Sequence, residues 1–179
     1  MPDKLMNLVR AHLTPLYSQA GLKGLGLALT IFVLDQLSKY AVLFGLNLQD
    51  VGDHAQILPF FSFTMVHNIG ISFGFFGSQG SGRWLLVVFQ FAVALVMIDY
   101  VRAARSPWLT LSLGLIIGGA IGNGLDRLRL GYVVDFLDFS GTHIFPWVFN
   151  VADSAITIGV MLLIWHFVSS DKAVVEKTS

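Results

Sequence analysis

The sequence contains no cysteine and few charged residues. The missing thiol excludes disulfide bridges, cysteine nucleophiles and cysteine-based metal sites. Charged residues make up 12% of the chain, against about 25% in a typical soluble domain. The net charge is zero, so no chain-wide signal indicates nucleic-acid binding, and the five histidines show no pair at metal-ligand spacing. What remains is 55% hydrophobic over 179 residues, which predicts an integral membrane protein of one domain.

Four apolar segments are long enough to cross a bilayer, whose core requires about 20 helical residues. They cover residues 23–46, 83–101, 107–125 and 151–168. These segments predict an all-α membrane protein with four transmembrane helices. The predicted organisation is an N-terminal cytoplasmic or interfacial segment at 1–22, a four-helix membrane domain at 23–168 and a C-terminal cytoplasmic tail at 169–179.

The basic residues are distributed unequally between the two sides of the membrane. The side that holds both termini has seven of them: Lys4, Arg10, Lys23, Arg102, Arg105, Lys172 and Lys177. The other side has three, which are Arg83, Arg127 and Arg129. Because cytoplasmic loops carry the excess of Lys and Arg, we predict that both termini are cytoplasmic. The loops at 47–82 and 126–150 then lie outside.

The outer loops contain strand patterns. Residues 61–66 alternate between apolar and polar side chains, and residues 133–137 are strand-like. A turn at 140–142 would bring the chain back along residues 145–149. We therefore predict a small extracytoplasmic β-sheet at the membrane interface.

The third apolar segment carries glycines at a regular spacing. Gly114, Gly118 and Gly122 repeat every four residues and so form one smooth helical face. Such faces let helix backbones approach closely in lipid. We predict that this helix packs tightly against its neighbours.

Charged residues within or beside the apolar segments are costly and therefore informative. Asp35 and Lys39 are spaced i, i+4 and form either a neutralising ion pair or part of a functional site. Asp126 beside Arg127 is open to the same two interpretations, an ordinary interfacial pair or a site.

Two further aspartates suggest acid–base hydrolysis. Asp135 and Asp153 lie at the edges of apolar segments, and two converging carboxylates can share one proton. Taken alone, Asp153 and Asn150 are also consistent with a simple cap for the fourth helix. Asp138 is the alternative to Asp135 as the partner of Asp153. We expect the side chains of Asp135 and Asp138 to point the same way on an alternating strand, so their spacing does not choose between them.

A small transporter or proton channel is the rival interpretation. It would use Asp35, Lys39 and Asp153 as an ion path. A path across the membrane needs polar residues along the spans, and residues 85–98 and 109–120 offer almost none. The polar groups instead cluster at one membrane face, which favours a site.

Five sequence blocks, in this order, resemble the lipoprotein signal peptidase family, also called signal peptidase II. They are Asp35–Lys39, Asn68–Phe73, Gly118–Arg127, Gly131–Phe136 and Phe149–Asp153. The resemblance extends over residues 24–168, and the ordered set is far more specific than any one block. Many members carry Gly-Ala-Ala-Phe after the asparagine, where this chain has Gly70-Ile71-Ser72-Phe73, so the shape of that part of the substrate pocket stays open.

The resemblance implies an aspartic endopeptidase of the bacterial cytoplasmic (inner) membrane, active on the extracytoplasmic side. It would remove the signal peptide from a prolipoprotein by cutting before the diacylglyceryl-modified cysteine, with Asp135 and Asp153 as the catalytic dyad. Matching residues that bind substrate or support the site are Asp35, Lys39, Asn68, Asn123, Asp126, Arg127 and Asn150. The implied partners are the lipid-modified substrate and membrane lipid, with no cofactor, metal or nucleic acid. A scaffold that binds lipoproteins without cutting them is the remaining alternative.

Overall fold

The structure, a computed structural model, describes residues 18–70 and 81–178. Within that part it has four long helices: α1 (Gln19–Tyr40), α2 (Ser81–Arg102), α3 (Pro107–Arg129) and α4 (Val151–Thr178). A π-helical turn, Ala41–Gly45, extends α1. All four helices are long and apolar enough to cross a membrane, so the four-span prediction is confirmed. Most of the predicted segment at 1–22, and the departure at Ile71 and Ser72, lie outside the described residues.

Helix α3 is the central helix of the bundle. In its most apolar stretch 67% of the residues are buried, against 17–22% in the other three helices. The other helices therefore expose most of their apolar side chains outward, as helices that contact lipid do. Helices α1 (with its π-helical turn), α2 and α3 begin and end within about four residues of the predicted spans. Helix α4 begins at the predicted residue but continues to Thr178, past the predicted end at residue 168.

The glycine face of α3 explains how its neighbours approach. A Cβ atom on Gly118 would lie 2.5 Å from the backbone oxygen of Ala28 in α1. On the adjacent face, a Cβ on Gly119 would lie 2.5 Å from the oxygen of Ala152 in α4. Both distances are too short for any side chain, so the glycines permit backbone contact on two sides. The predicted close packing is confirmed.

A four-stranded antiparallel sheet covers one end of the bundle. Its strands are β1 (His54–Leu58), β2 (Phe61–Asn68), β3 (Val133–Asp138) and β4 (Val148–Phe149), in that spatial order. A 3₁₀ turn, Ser140–Thr142, leads from β3 towards β4. The strand predictions at 61–66 and 133–137 and the return segment are confirmed, whereas β1 was not predicted.

The sheet is attached to the bundle by a small apolar core. Met65 of β2 and Val134 and Phe136 of β3 pack with Val42 and Leu48, which follow α1. This core places the middle of β3 next to the last turns of α1 and α3 and the first turn of α4. Most of the polar residues singled out in the sequence lie at this junction.

Candidate active site

Asp135 lies in the middle of β3 with its carboxylate held from both sides. Its side chain is 1% exposed. Asn68 of the neighbouring strand donates to Oδ2 at 2.9 Å, and Asn150 donates to Oδ1 at 2.6 Å. The strand pairing explains the first contact, because Asn68 pairs with Val133 two residues away. The two amides fix the orientation of the carboxylate.

Burial raises the pKa of Asp135 from 3.8 to about 7, and the negative charge of Asp153 contributes in the same direction. The hydrogen bonds from Asn68 and Asn150 and the positive charge of Lys39 oppose this increase only in part. The Asp135 carboxyl group therefore retains a proton up to near-neutral pH. The repulsion also shows that Asp135 and Asp153 lie in one electrostatic environment.

Asp153 belongs to the first turn of α4, but its carboxylate faces the bundle. Asn123 of α3 donates to its Oδ1 at 2.7 Å. The helix cap is provided by other residues: the side-chain oxygen of Asn150 accepts the backbone N–H of Asp153 at 2.8 Å. The backbone N–H of Ala152, which has no acceptor within the helix, donates to a carboxylate oxygen of Asp35 at 2.9 Å. Asn150 rather than Asp153 is therefore the capping side chain.

Two asparagines connect the two aspartates. The Asn150 amide that contacts Asp135 also donates to the side-chain oxygen of Asn123 at 3.2 Å. Asn123 in turn donates to Asp153. The chain of contacts Asp135–Asn150–Asn123–Asp153 joins strand β3, the start of α4 and helix α3. A shift of any one of these elements would change the relative position of the carboxylates.

A buried ion cluster supports Asn123 from the other side. The Lys39 ammonium lies 2.8 Å from Asp35, 2.7 Å from Asp126 and 3.1 Å from the side-chain oxygen of Asn123. These three partners use its three protons. The Asp35–Lys39 pair exists, but it is part of a larger network. Asp126 forms its ion pair with Lys39, so the interpretation of Asp126 and Arg127 as an ordinary interfacial pair was wrong.

Arg127 lies beside the aspartates and retains hydrogen-bonding capacity. Its guanidinium interacts electrostatically with Asp153 and Asp135, and one terminal nitrogen donates to Gln90 at 3.1 Å. Its Nε is buried and has no hydrogen-bond partner among the described residues. Gly70 lets the chain after β2 pass close by, since a Cβ there would lie 2.9 Å from Arg127 Nη2. A backbone φ of +81° also favours glycine at this position.

Asp138 is separated from this network. Its carboxylate accepts hydrogen bonds from the Thr64 hydroxyl at 2.7 Å and from the Ser140 amide at 2.8 Å. Burial alone would raise the pKa of Asp138, but these hydrogen bonds outweigh it and lower the pKa below its usual value. The expectation that Asp135 and Asp138 point the same way was wrong, because strand side chains three residues apart face opposite sides.

Two glutamines in the network were not predicted as site residues. Gln36 donates to Asp126 at 3.0 Å and to Asp35 at 3.1 Å, and Gln90 accepts from Arg127. Gln36 lies inside the Asp35–Lys39 block, and its i, i+3 spacing to Lys39 was the available signal. Gln90 had no comparable signal except that it is the one polar side chain in an apolar stretch of α2.

An apolar groove begins at the catalytic candidates. A cavity of about 260 Å³ is lined by Asp153 and by Phe149, Phe145 and Ile158, and it follows the outer surface of α4. Among residues 18–70 and 81–178, no group of His, Asp or Glu side chains is arranged to hold a metal ion. The chemistry available from these described residues is that of paired carboxylates next to a surface for apolar chains.

Comparison with known proteins identifies the family. Residues 27–169 match the family described as signal peptidase (SPase) II. The chain belongs to this family. It is 46% identical to the lipoprotein signal peptidase of Caulobacter vibrioides over 85% of this chain and 90% of that protein. It is 39% identical to the one from Shewanella oneidensis, over 90% and 95% respectively.

Two solved structures described as a bacterial membrane enzyme have the same fold. One aligns with a TM-score of 0.70 at 24% identity, over 83% of this chain and 89% of the other. The second aligns with a TM-score of 0.69 at 26% identity, over 81% and 92%. The signal peptidase II chain described here is therefore a multi-pass membrane peptidase whose family removes signal peptides from prolipoproteins. The resemblance found in the sequence is confirmed, and the transporter interpretation was wrong.

Proposed function

We propose that this signal peptidase II is an aspartic endopeptidase that cuts diacylglyceryl-modified prolipoproteins just before the lipidated cysteine, with Asp135 and Asp153 as its dyad. The observation that carries the proposal is the convergence of the two carboxylates. They come from β3 and α4 and are linked through Asn150 and Asn123. Burial, together with repulsion from Asp153, raises the pKa of Asp135.

The dyad provides both proton transfers that peptide hydrolysis requires. The ionised carboxylate takes a proton from water as the water attacks the peptide carbonyl, and the protonated partner delivers a proton to the leaving amine. Because burial and the charge of Asp153 raise the pKa of Asp135 to about 7, a proton is available at the dyad near neutral pH. The pair therefore acts as base and acid at once, and no role is assigned to either member alone.

The surrounding polar residues have two roles in this proposal. Arg127 is a substrate contact, because its Nε, which has no partner among the described residues, can donate to a peptide carbonyl as negative charge develops on it. Asn68, Asn123 and Asn150 orient the two carboxylates. Asp35, Lys39 and Asp126 are positioning residues, since they hold Asn123 and the first turn of α4 in place.

The apolar groove along α4 accounts for the lipid on the substrate. It begins at Asp153 and is lined by Phe145, Phe149 and Ile158. Acyl chains attached to the cysteine can stay in the bilayer against this surface while the peptide bond reaches the carboxylates. The excess of basic residues on the opposite face supports an extracytoplasmic position for this end, in the inner membrane of a bacterium.

Cleavage by the purified protein tests the proposal. A prolipoprotein carrying diacylglycerol on its cysteine is incubated with the wild type and with Asp153→Asn, and the products are measured by mass spectrometry. We expect the signal peptide to be released only by the wild type, and the unlipidated prolipoprotein to be cut far more slowly. Asparagine keeps the size of the side chain, so Asp153→Asn should retain membrane yield and thermal stability.

Two outcomes would contradict this proposal. Cleavage at near wild-type rate by Asp153→Asn would exclude the residue from the dyad. Substrate binding without any cleavage by the wild type would favour the scaffold interpretation, in which the protein retains lipoproteins without processing them. Binding is measured in the same samples by co-purification of the lipidated substrate.

A further inference from the structure

A second cavity lies between α1 and α3 at the end of the bundle opposite the carboxylates. Its volume is about 330 Å³, and its lining includes Lys23, Leu27, Arg105, Thr110 and Leu111. The lining residues come from the first turns of the two helices and the residues just before α3. The site residues of α3, Asn123, Asp126 and Arg127, lie in its last two turns, roughly 20 Å further along the helix at 1.5 Å per residue. The cavity is therefore not part of the active site.

Two cationic side chains line this cavity, and neither has a carboxylate partner in the part of the chain that the structure describes. Neither Lys23 nor Arg105 forms an ion pair with a carboxylate of residues 18–70 or 81–178. Both are exposed, and their positive charges are not neutralised within the described part of the protein. The remaining lining is mostly apolar, with Leu27 and Leu111 extending towards the membrane interior.

The start of α3 adds polar groups suited to an anion. The helix begins at Pro107, which also lines the cavity, and the side chain of its N-cap residue Ser106 makes no capping hydrogen bond. Within the described ranges the first amides of the helix therefore have no capping side chain as acceptor, and the positive end of the helix dipole lies here. Thr110, one turn further, lines the same cavity and is buried, yet its hydroxyl has no hydrogen-bond partner among the described residues.

We propose that this cavity binds an anionic phospholipid. The phosphate lies between Lys23 and Arg105 near the first turn of α3, where rotation of the Thr110 side chain brings its hydroxyl to a phosphate oxygen. One acyl chain follows Leu27 and Leu111 into the bilayer. Basic pockets between transmembrane helices have this chemistry, and Trp108, which is 55% exposed at the same helix end, suits the headgroup level. On the proposed orientation, the lipid belongs to the cytoplasmic leaflet.

Native mass spectrometry of the full chain tests the site. The detergent-solubilised protein is titrated with phosphatidylglycerol or with phosphatidylcholine of the same acyl chains, and the affinity for the first bound lipid is measured. We expect preferential binding of phosphatidylglycerol, and a roughly fivefold loss in Lys23→Gln and in Arg105→Gln, from about 1 kcal/mol per basic residue. Arg129→Gln is the matched control, because it removes an exposed charge at the other end of α3 and should leave the affinity unchanged.

A second variant tests whether the lipid headgroup enters the cavity. Thr110→Val removes a hydroxyl that has no partner in the described part of the protein, so it should not lower the melting temperature of the lipid-free protein. We expect it to weaken phosphatidylglycerol binding severalfold, and inorganic phosphate at the same concentration not to compete. Equal binding of both lipids, or equal losses in Arg129→Gln and Lys23→Gln, would overturn the proposal. None of these measurements uses cleavage, so the result is independent of the proposed function.

Discussion

Asp135 and Asp138 lie on one strand but have hydrogen-bond partners of different kinds. Asp135 accepts from two amides inside the polar network, whereas Asp138 accepts from Thr64 and Ser140 at its margin. We expect Asp135→Asn to abolish cleavage of the lipidated substrate. Asp138→Asn should cost at most about tenfold, or about 1.4 kcal/mol in the activation barrier. Single-turnover cleavage by the two variants, measured side by side, checks this prediction.

Substrate binding is the control for both variants. The apolar groove and Arg127 are unchanged in each, so both should still bind the lipidated prolipoprotein. An inactive Asp138→Asn together with an active Asp135→Asn would show that the dyad is assigned to the wrong aspartate.

The raised pKa of Asp135 also predicts a pH effect on stability. In the unfolded chain this carboxyl group ionises near its ordinary pKa of about 3.9, whereas in the folded protein it ionises at about 7. The stability associated with the buried, protonated form is therefore complete below the unfolded pKa and is lost as the pH rises through 7. Asp135→Asn cannot ionise, so its melting temperature relative to the wild type should increase between pH 5 and pH 8.5.

The size of this change follows from the shift, at 1.36 kcal/mol per pKa unit. About two pH units of this interval lie below the folded pKa of about 7, so we expect a change of roughly 2–3 kcal/mol. This corresponds to roughly 5–10 degrees in melting temperature for a chain of this length. Asparagine has only one acceptor oxygen, so it loses one of the hydrogen bonds from Asn68 and Asn150 at every pH. That loss shifts the variant's plot of melting temperature against pH by a constant amount. The slope of the plot relative to the wild type still reports the ionisation of Asp135. Parallel curves for variant and wild type would contradict a raised pKa.

At the residue level, the cost of charge in apolar segments pointed to the charged members of the network, the family resemblance pointed to the three asparagines, and the two glutamines were missed. Asp35, Lys39 and Asp126 were conspicuous because an ion in an apolar segment is costly and needs a reason. Gln36 and Gln90 make comparable contacts, but a neutral amide carries little penalty and is common at helix surfaces. The sequence also did not show that Asn150 rather than Asp153 caps α4, because the choice depends on where Asn123 lies.

Helix α3 determines the geometry of the site through its small residues. Gly119 faces α4, and a Cβ there would lie 2.5 Å from the Ala152 oxygen, directly before Asp153. We expect Gly119→Ala to displace the start of α4 and to lower stability by about 1–3 kcal/mol, the usual range for overpacking. Cleavage should fall as well, because Asp153 moves with the helix. Thermal unfolding and single-turnover cleavage of the variant test both effects.

Gly26→Ala is the matched control for this prediction. Gly26 lies in α1, and no heavy atom lies within 4 Å of the position that an added Cβ would occupy, so alanine fits there without displacement. Alanine is also favoured over glycine in a helix by about 1 kcal/mol, and stability should stay equal or rise. Equal losses in both variants would mean that close approach at Gly119 does not limit packing.

At the element level, the strands that have a buried face could be predicted, and the one without could not. β2 alternates because its face with Phe63 and Met65 packs on the small core. β3 is buried at five of its six residues, which favours a short, mostly apolar segment rather than an alternating one. β1 is exposed at four of its five residues, so burial imposes little pattern on its sequence. It forms because β2 offers backbone hydrogen bonds along its free edge.

At the scale of the whole molecule, the two ends of the helix bundle carry different charged groups. The end of the bundle next to the sheet holds the aspartates together with Lys39 and Arg127, and the opposite end holds the cavity lined by Lys23 and Arg105. Between these ends, the central helix is lined mainly by glycine and aliphatic residues. The sequence predicted that the aspartates cluster at one membrane face, because the spans were long and nearly free of charge, but it did not predict the cavity. It could not predict that α3 would be the central helix, since burial inside a bundle and exposure to lipid both favour apolar residues.

The orientation of these ends in the membrane is the last prediction. The seven-to-three excess of basic residues predicts that the sheet and the aspartates lie outside and the α2–α3 turn inside. The chain has no cysteine, so an introduced cysteine is the only thiol that the reagent can label. Val51 is 66% exposed beside the sheet, and Ala103 is exposed in the α2–α3 turn.

In intact spheroplasts, a membrane-impermeant maleimide should therefore label Val51→Cys and leave Ala103→Cys unlabelled. After the membrane is permeabilised, both should react. That result would show that the intact membrane, and not burial within the protein, protects Ala103→Cys from the maleimide. The reverse pattern would place the aspartates on the cytoplasmic side. A lipoprotein precursor crosses the membrane before its signal peptide is removed in the proposed reaction, so that result would be incompatible with the proposed function as well as with the orientation.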